Sequence, residues 1–505
     1  MRWDLIIIVL AYFCLVCIGV GLYLMRRYAS SIHGYIAAGG AFGWLLVTAE
    51  SILFPFGTGH TVNVSQGSWF IGSYIAWFGF IAGVFSLIWL LYGMGRWIGA
   101  AAKRVGARTS SELMGKAYGP LIRMMHASIS AAYLIALCAI EMVGTAVFIM
   151  AVTGLPRSES ILIAAVLVTI YVIFSGIAQY GILNLINIIV YYVGVALGFV
   201  ALAAFIAPWG GWSALENAVT EVLGPQTLFG PQLGDVFLSL GIPMLIGTLG
   251  WASASHFLQF AFTAKRPEEL KKGVPLAIML NGYGTWLWVL LGFVALLVPA
   301  AYFGGYAASI SAARQAGDAL GALAVTLQAL PVYASAFLLI NVLVATLSTG
   351  GYGIWAGAMS LVYDVLMPLF PKISDKRAIN LIRLVFVVGV LLGAYGGNLP
   401  SLLVNSFIFA WAMTVPLFII VTAALKWRRN SRAALWTIIS SWLVAILWLI
   451  FSPVVNQTLP SWLHPPVGVI YPVTIIGVMV YVALTLVWSK ETKPSLLAEI
   501  PQIPR

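Results

Sequence analysis

Two carboxylates, Glu50 and Glu141, stand inside long apolar runs. A charge at membrane depth is costly, and such groups line ion paths, relay protons or contact solute. Glu50 suits an ion or proton relay, and it equally suits a protonated, hydrogen-bonded tie between two helices. Glu141, within Ala139-Ile140-Glu141-Met142, suits pairing with a cationic solute or a neutral helix–helix hydrogen bond. His60 has Thr58 and Thr61 beside it, a set able to touch a polar solute, although a lone histidine also serves packing. Residues that break helices lie among these groups. Phe54-Pro55-Phe56-Gly57-Thr58-Gly59 interrupts one run; Gly241-Ile242-Pro243 and Gly247-Thr248-Leu249-Gly250 interrupt another. Unwound backbone at membrane depth must be buried or line a cavity, and there its freed carbonyls can hold a cation. Thr248, Trp251 and Ser253, at the second interruption, are further candidate solute contacts. The Trp251 ring either closes over a solute or packs. No phosphate-binding loop, metalloprotease motif or serine-nucleophile motif accompanies these residues, so the expectation is a transporter and not an enzyme.

Composition says what must position them. The 505-residue chain is 62% hydrophobic and only 8% charged, against about 25% charged residues in soluble domains. Apolar runs of ~20 residues, each long enough for a bilayer, recur along it. They predict an all-α polytopic membrane protein with about thirteen spans: 4–25, 42–64, 69–95, 124–152, 160–178, 184–207, 236–262, 274–300, 333–363, 383–399, 401–425, 433–451 and 468–488. The first run is too long for a signal peptide, and Arg26 and Arg27 follow it instead of preceding it. Cys14, Cys17 and Cys138 all lie in apolar segments without metal-ligand spacing, so they read as buried thiols. With the N-terminus outside and the C-terminus cytoplasmic, only Arg2, Arg157 and Arg314 of the 26 basic residues fall outside. That asymmetry follows the positive-inside rule and explains the net charge of +11 by topology, with no nucleic-acid partner. The expected location is the plasma membrane.

The two interrupted spans are the second and the seventh. Paired broken spans in corresponding positions are the mark of inverted repeats. The expected organisation is a peripheral first helix (1–35), a five-helix repeat of spans 2–6 (36–207), an external loop (208–235), a second five-helix repeat of spans 7–11 (236–426), two peripheral spans (427–490) and a disordered cytoplasmic tail (491–505).

From about residue 35 to 400 the chain resembles the sodium:solute symporter family, with the same span count and orientation. The landmarks are Thr109-Ser110-Ser111-Glu112-Leu113 followed by Arg123, Tyr171 to Gly176, and Trp251 and Gln259 ahead of Ala264-Lys265 and Lys271-Lys272-Gly273. The most specific is Ala345-Thr346-Leu347-Ser348-Thr349 with Asp364 beyond it. The resemblance implies a LeuT-type 5+5 inverted-repeat fold with broken helices in spans 2 and 7. It also implies sodium bound by Ala345, Ser348 and Thr349 with carbonyls of Phe54 and Gly57. Sodium is a hard, oxygen-seeking cation like the divalent ions of oxygen sites, and Ala345, Ser348 and Thr349 share one face of an α-helix. Glu50 falls on the face of Phe54 and Gly57, where it would receive the released ion or carry a proton and stand in for the carboxylate missing at Asn184.

Three segments depart from the family pattern. Gly350-Gly351-Tyr352 follows the Ser-Thr pair, Leu183-Asn184 replaces a Thr-Asp pair, and Phe260 replaces an arginine. Residues that contact sugar or proline elsewhere in the family are not recognisable. The resulting expectation is a sodium-coupled symporter of a small polar organic solute, with Na+ as the coupling ion, no organic cofactor, and the solute, sodium and the lipid bilayer as partners. Proton coupling through Glu50, or a channel or sensor on the same fold, are the alternatives.

Overall fold

The computed structural model describes residues 3–53, 57, 61, 64–65, 67–68, 74–88, 95–153, 155–223, 236–280, 283–299, 302, 308, 311–312, 315, 319–397 and 409–499. Each predicted span falls at least in part on a helix. In chain order these are α1 (Asp4–Tyr28), α2 (Trp44–Leu53), α3 (Tyr74–Ser86), the short connector α4 (Ser110–Tyr118), α5 (Pro120–Thr153), α6 (Arg157–Val172) and α7 (Ile177–Ile206). The second half holds α8 (Phe237–Ala252), α9 (Ser255–Thr263), α10 (Pro267–Val294), α11 (Val332–Leu369), α12 (Asp375–Gly397), α13 (Phe409–Lys426), α14 (Ser431–Ile450) and α15 (Val467–Val487). Among the described residues, nine helices are long and apolar enough to cross a bilayer, and α8 with α9 forms a further, bent span. Helices are the only open-chain answer to lipid, because no water is there to satisfy backbone groups.

Burial separates a centre from a rim. In their most apolar stretches α11 is 83% and α5 78% buried, against 22% for α1 and 33% for α14 and α15. Rim helices turn Leu15, Tyr23, Ile450 and Val487 outward, as lipid contact requires. The central pair approaches closely through small residues: a Cβ on Gly357 of α11 would come 3.2 Å from the Ala131 Cα of α5. Such small-residue seams let membrane helices pack backbone to backbone.

The bend between α8 and α9 measures 60° and falls at Ser253–Ala254, beyond the glycines and proline expected to cause it. Pro243 sits where a π-helical turn (Phe237–Gly241) gives way to α-helix, so it costs no break. Gly247 and Gly250 serve packing instead: a Cβ would meet Trp411 at 2.9 Å and Thr414 Oγ1 at 2.8 Å, both on α13. The first interruption, 54–56 and 58–60, lies outside the described residues.

The C-terminal tail departs from its expected disorder as far as Glu499. Lys493 and Pro494 pair antiparallel with Arg429 and Arg428. Arg429 also forms an ion pair with Glu499, and Arg432 pairs with Glu491 at 3.2 Å. Charge complementarity with the loop after α13 holds down a segment whose prolines alone suggest a free end.

Candidate cation and solute site

Ser348 and Thr349 lie in a widened π-helical turn, Leu347–Gly351, inside α11. Such turns displace carbonyls from the regular ladder and recur at functional sites. The Ser348 hydroxyl lies 3.0 Å from the Ala345 carbonyl and 3.1 Å from the Leu53 carbonyl at the end of α2. One hydroxyl has one proton to donate, so three oxygens from two helices converge around a single hydrogen. That surplus of oxygen suits a hard cation. Leu53 is a member the sequence did not suggest; Phe54, the expected partner, lies outside the described residues.

A second convergence adjoins the first. A Cβ on Gly57 would come 2.7 Å from Thr349 Oγ1 and 2.8 Å from the carboxyl carbon of Glu141. Span 2, α5 and α11 therefore meet at this glycine. Gly350 packs on the other flank of the acid, where a Cβ would lie 3.0 Å from Glu141 Cβ. Glu141, 1% exposed, thus stands among the residues expected to bind the ion. The sequence left it between a solute contact and a neutral helix–helix hydrogen bond.

The expected solute contacts divide. Thr58 and His60 lie outside the described residues. Thr61, Thr248 and Ser253 are buried, and each hydroxyl reaches the carbonyl four residues back in its own chain, at 3.4, 2.5 and 2.9 Å. Trp251 packs on Phe257 and His256, with ring centroids 4.8 and 5.7 Å apart.

At the α8–α9 break, α5 satisfies the interrupted backbone. His126 Nε2 lies 3.1 Å from the Ser253 carbonyl and its Nδ1 2.9 Å from Ser111 Oγ. Donating to the carbonyl puts a proton on Nε2, and in the neutral ring Nδ1 then accepts from Ser111. One turn further along α5, Ser130 Oγ accepts from the Ser255 N–H at 3.1 Å. The sequence gave His126 no role. Its spacing to Ser130 is readable only once the break is placed.

Glu50 is fully buried and accepts from Thr263 Oγ1 of α9 at 3.1 Å. Its other oxygen would lie 3.3 Å from a Cβ on Gly181 of α7. Asn184, three residues on, accepts from the Tyr171 hydroxyl at 2.9 Å. That hydroxyl in turn accepts from Asn187 at 2.7 Å, and Tyr12 of α1 donates to Asn187. Beside Glu50 runs an aromatic stack. Tyr352 lies nearly parallel to Tyr180, Phe260 and Trp355, with centroids 4.1, 5.4 and 5.6 Å away. Two of the departures from the family pattern, Phe260 and Tyr352, are therefore in contact with each other.

At the far end of α11, Asp364 is fully buried and pairs with Arg123 Nε of α5 at 2.9 Å. Thr109 donates to the same carboxylate at 2.8 Å and accepts the Glu112 N–H at 3.0 Å, capping α4. The Thr109–Glu112 and Arg123 landmarks are thus one knot around Asp364.

The sequence matches the sodium:solute symporter family over residues 35–440. It is 26% identical over 343 residues to the uncharacterized symporter YwcA of Bacillus subtilis (strain 168), covering 65% of this chain and 63% of that one. It is 24% identical over 305 residues to the sodium/glucose cotransporter of Vibrio parahaemolyticus, covering 58% and 55%. The matches thus span less than two thirds of either relative. Among solved structures, the substrate-bound outward-open state of a Na+-coupled sialic acid symporter superposes with a TM-score of 0.74 at 16% identity, over 95% of this chain and 98% of the other. Mhp1, a nucleobase-cation-symport-1 family transporter in a closed conformation with bromovinylhydantoin bound, gives 0.51 at 14% identity, over 92% and 95%. The fold is that of the LeuT-type transporters.

Proposed function

Because the chain belongs to the sodium:solute symporter family, we propose that it is a sodium-coupled symporter of a small polar organic solute, working by alternating access. It is a multi-pass membrane transporter and not an enzyme. The sodium reading is carried by one observation: the Ser348 hydroxyl and the Ala345 and Leu53 carbonyls meet between α2 and α11. Sodium held there, with Thr349 and the backbone of Phe54 and Gly57, ties span 2 to α11. Its arrival would stabilise one arrangement of the two five-helix units, 36–207 and 236–426, and its release would free the other. Thr58, His60, Thr61, Thr248, Trp251 and Ser253 would line the solute path on the side of the breaks. The proposed orientation puts the Asp364–Arg123 knot and the C-terminal tail in the cytoplasm and the N-terminus outside the cell.

The solute class draws on the named relatives, which include a glucose and a sialic acid cotransporter. A second reading, proton coupling, is favoured by one feature: Glu50 is a fully buried carboxyl hydrogen-bonded to Thr263.

Currents recorded from proteoliposomes on a solid-supported membrane test both. Amino acids, carboxylates and sugars would be applied in turn, in sodium and in potassium buffer. The expected result is a transient current for one class, in sodium only, abolished by Ser348→Ala/Thr349→Ala. Currents that need no sodium and vanish in Glu50→Gln would establish proton coupling instead. A steady conductance without solute-evoked transients would make the protein a channel.

A further inference from the structure

We propose that Glu141 supplies the counter-charge of the sodium site, so that the ion binds as a pair with this carboxylate. The inference rests on the sodium reading above and assigns to that site a charged group from a third element, α5. Carbonyls and hydroxyls solvate a cation without neutralising it, and a net charge at membrane depth is costly. The only formal negative charge placed against the Gly57–Thr349 convergence by the described contacts is that of Glu141.

Several features hold the carboxylate there. Gly57 and Gly350 flank it, and a side chain at either position would displace it. Thr145, one turn further along α5, donates to Thr346 of α11, which fixes the register of the two helices. On the opposite face of α5, Gly396 of α12 packs 3.2 Å, measured to its would-be Cβ, from Ala139 Cβ. The α5 backbone is therefore clamped from both sides while its acid faces Thr349. A carboxylate serving only as a helix–helix tie has no need of a neighbour built from a glycine, a hydroxyl and a widened helical turn.

The test is sodium-dependent thermal stabilisation of the purified full-length protein, titrated with sodium chloride against potassium chloride at constant ionic strength. Glu141→Gln keeps the shape of the side chain, removes its charge and turns one acceptor oxygen into an N–H donor. The expected result is a rise of at least tenfold in the sodium dissociation constant, with the melting temperature in potassium no lower than that of the wild type. Glu141→Asp, which keeps the charge, should weaken sodium less, and it serves as the informative variant if Glu141→Gln does not fold. Retained sodium affinity in Glu141→Gln, or equal losses in the Gln and Asp variants, would overturn the proposal. If Ser348→Ala loses the sodium response while Glu141→Gln keeps it, the sodium site stands and the counter-charge does not. If the wild-type protein shows no sodium-specific stabilisation, the sodium reading itself fails, and this inference with it.

Discussion

A methyl group on Gly57 would lie 2.7 Å from Thr349 Oγ1 and 2.8 Å from the Glu141 carboxyl carbon. Neither neighbour is the loose end of a surface side chain; both are buried. Gly57→Ala should therefore push the two oxygens apart and abolish sodium-dependent stabilisation. Titration calorimetry with sodium chloride reads this directly, and an unchanged affinity would remove Gly57 from the site. The sequence nominated Gly57, Ser348 and Thr349 through the family resemblance, because helix breaks and paired hydroxyls are local signals. It could not show that Glu141 packs against Gly57 beside Thr349, since that contact exists only when α5 meets α11 and span 2. The sequence placed Glu50 on the same face as Phe54 and Gly57. In the structure its hydrogen bond goes to α9, and the nearby hydroxyls and aromatic rings come from α7, α9 and α11.

At the scale of elements, the break between α8 and α9 shows how far pattern reading reaches. Glycine and proline correctly marked span 7 as interrupted, but the bend lies at Ser253–Ala254, where no glycine or proline stands. The glycines are taken up by close approach to α13, and the proline sits where a π-helical turn already disturbs the ladder. What makes the bend tolerable is α5, whose His126 and Ser130 take up the Ser253 carbonyl and the Ser255 N–H. His126→Ala would leave a buried carbonyl without its donor, at a cost of about 1–3 kcal/mol. Denaturation in detergent, in sodium-free buffer, should show that loss. A melting temperature equal to wild type would mean that the break holds without the histidine. The aromatic stack was not legible either: Tyr180, Phe260 and Tyr352 are far apart in sequence and come from three elements.

For the whole molecule, hydropathy alone separated membrane from solvent, and each expected span meets a helix. The ranking of helices from centre to rim came only from packing, because apolar residues face lipid and core alike. The Asp364–Arg123 pair joins α11 to α5 at the end away from the ion site. Asp364 is fully buried while the Arg123 side chain is 19% exposed. Removing one partner of a buried pair costs about 3–5 kcal/mol when the other cannot reach water. Arg123→Ala should accordingly destabilise the protein more than Asp364→Asn, since a stranded arginine can turn toward solvent and a stranded aspartate cannot. Equal losses in a chemical denaturation series would contradict that asymmetry. The docked tail has its own test: deletion after Lys490 should lower thermal stability while leaving sodium affinity intact, because its strand pairing and ion pairs are made with Arg428, Arg429 and Arg432 and not with the ion-site residues.

The central claim is that α2 and α11 bind sodium between them, and equilibrium binding of radiolabelled sodium to the purified protein tests it most directly. Wild-type protein should bind saturably, potassium should compete poorly, and Ser348→Ala/Thr349→Ala should lose binding while keeping its fold by circular dichroism. Saturable binding that survives in the double variant, or none in the wild type, would contradict the account.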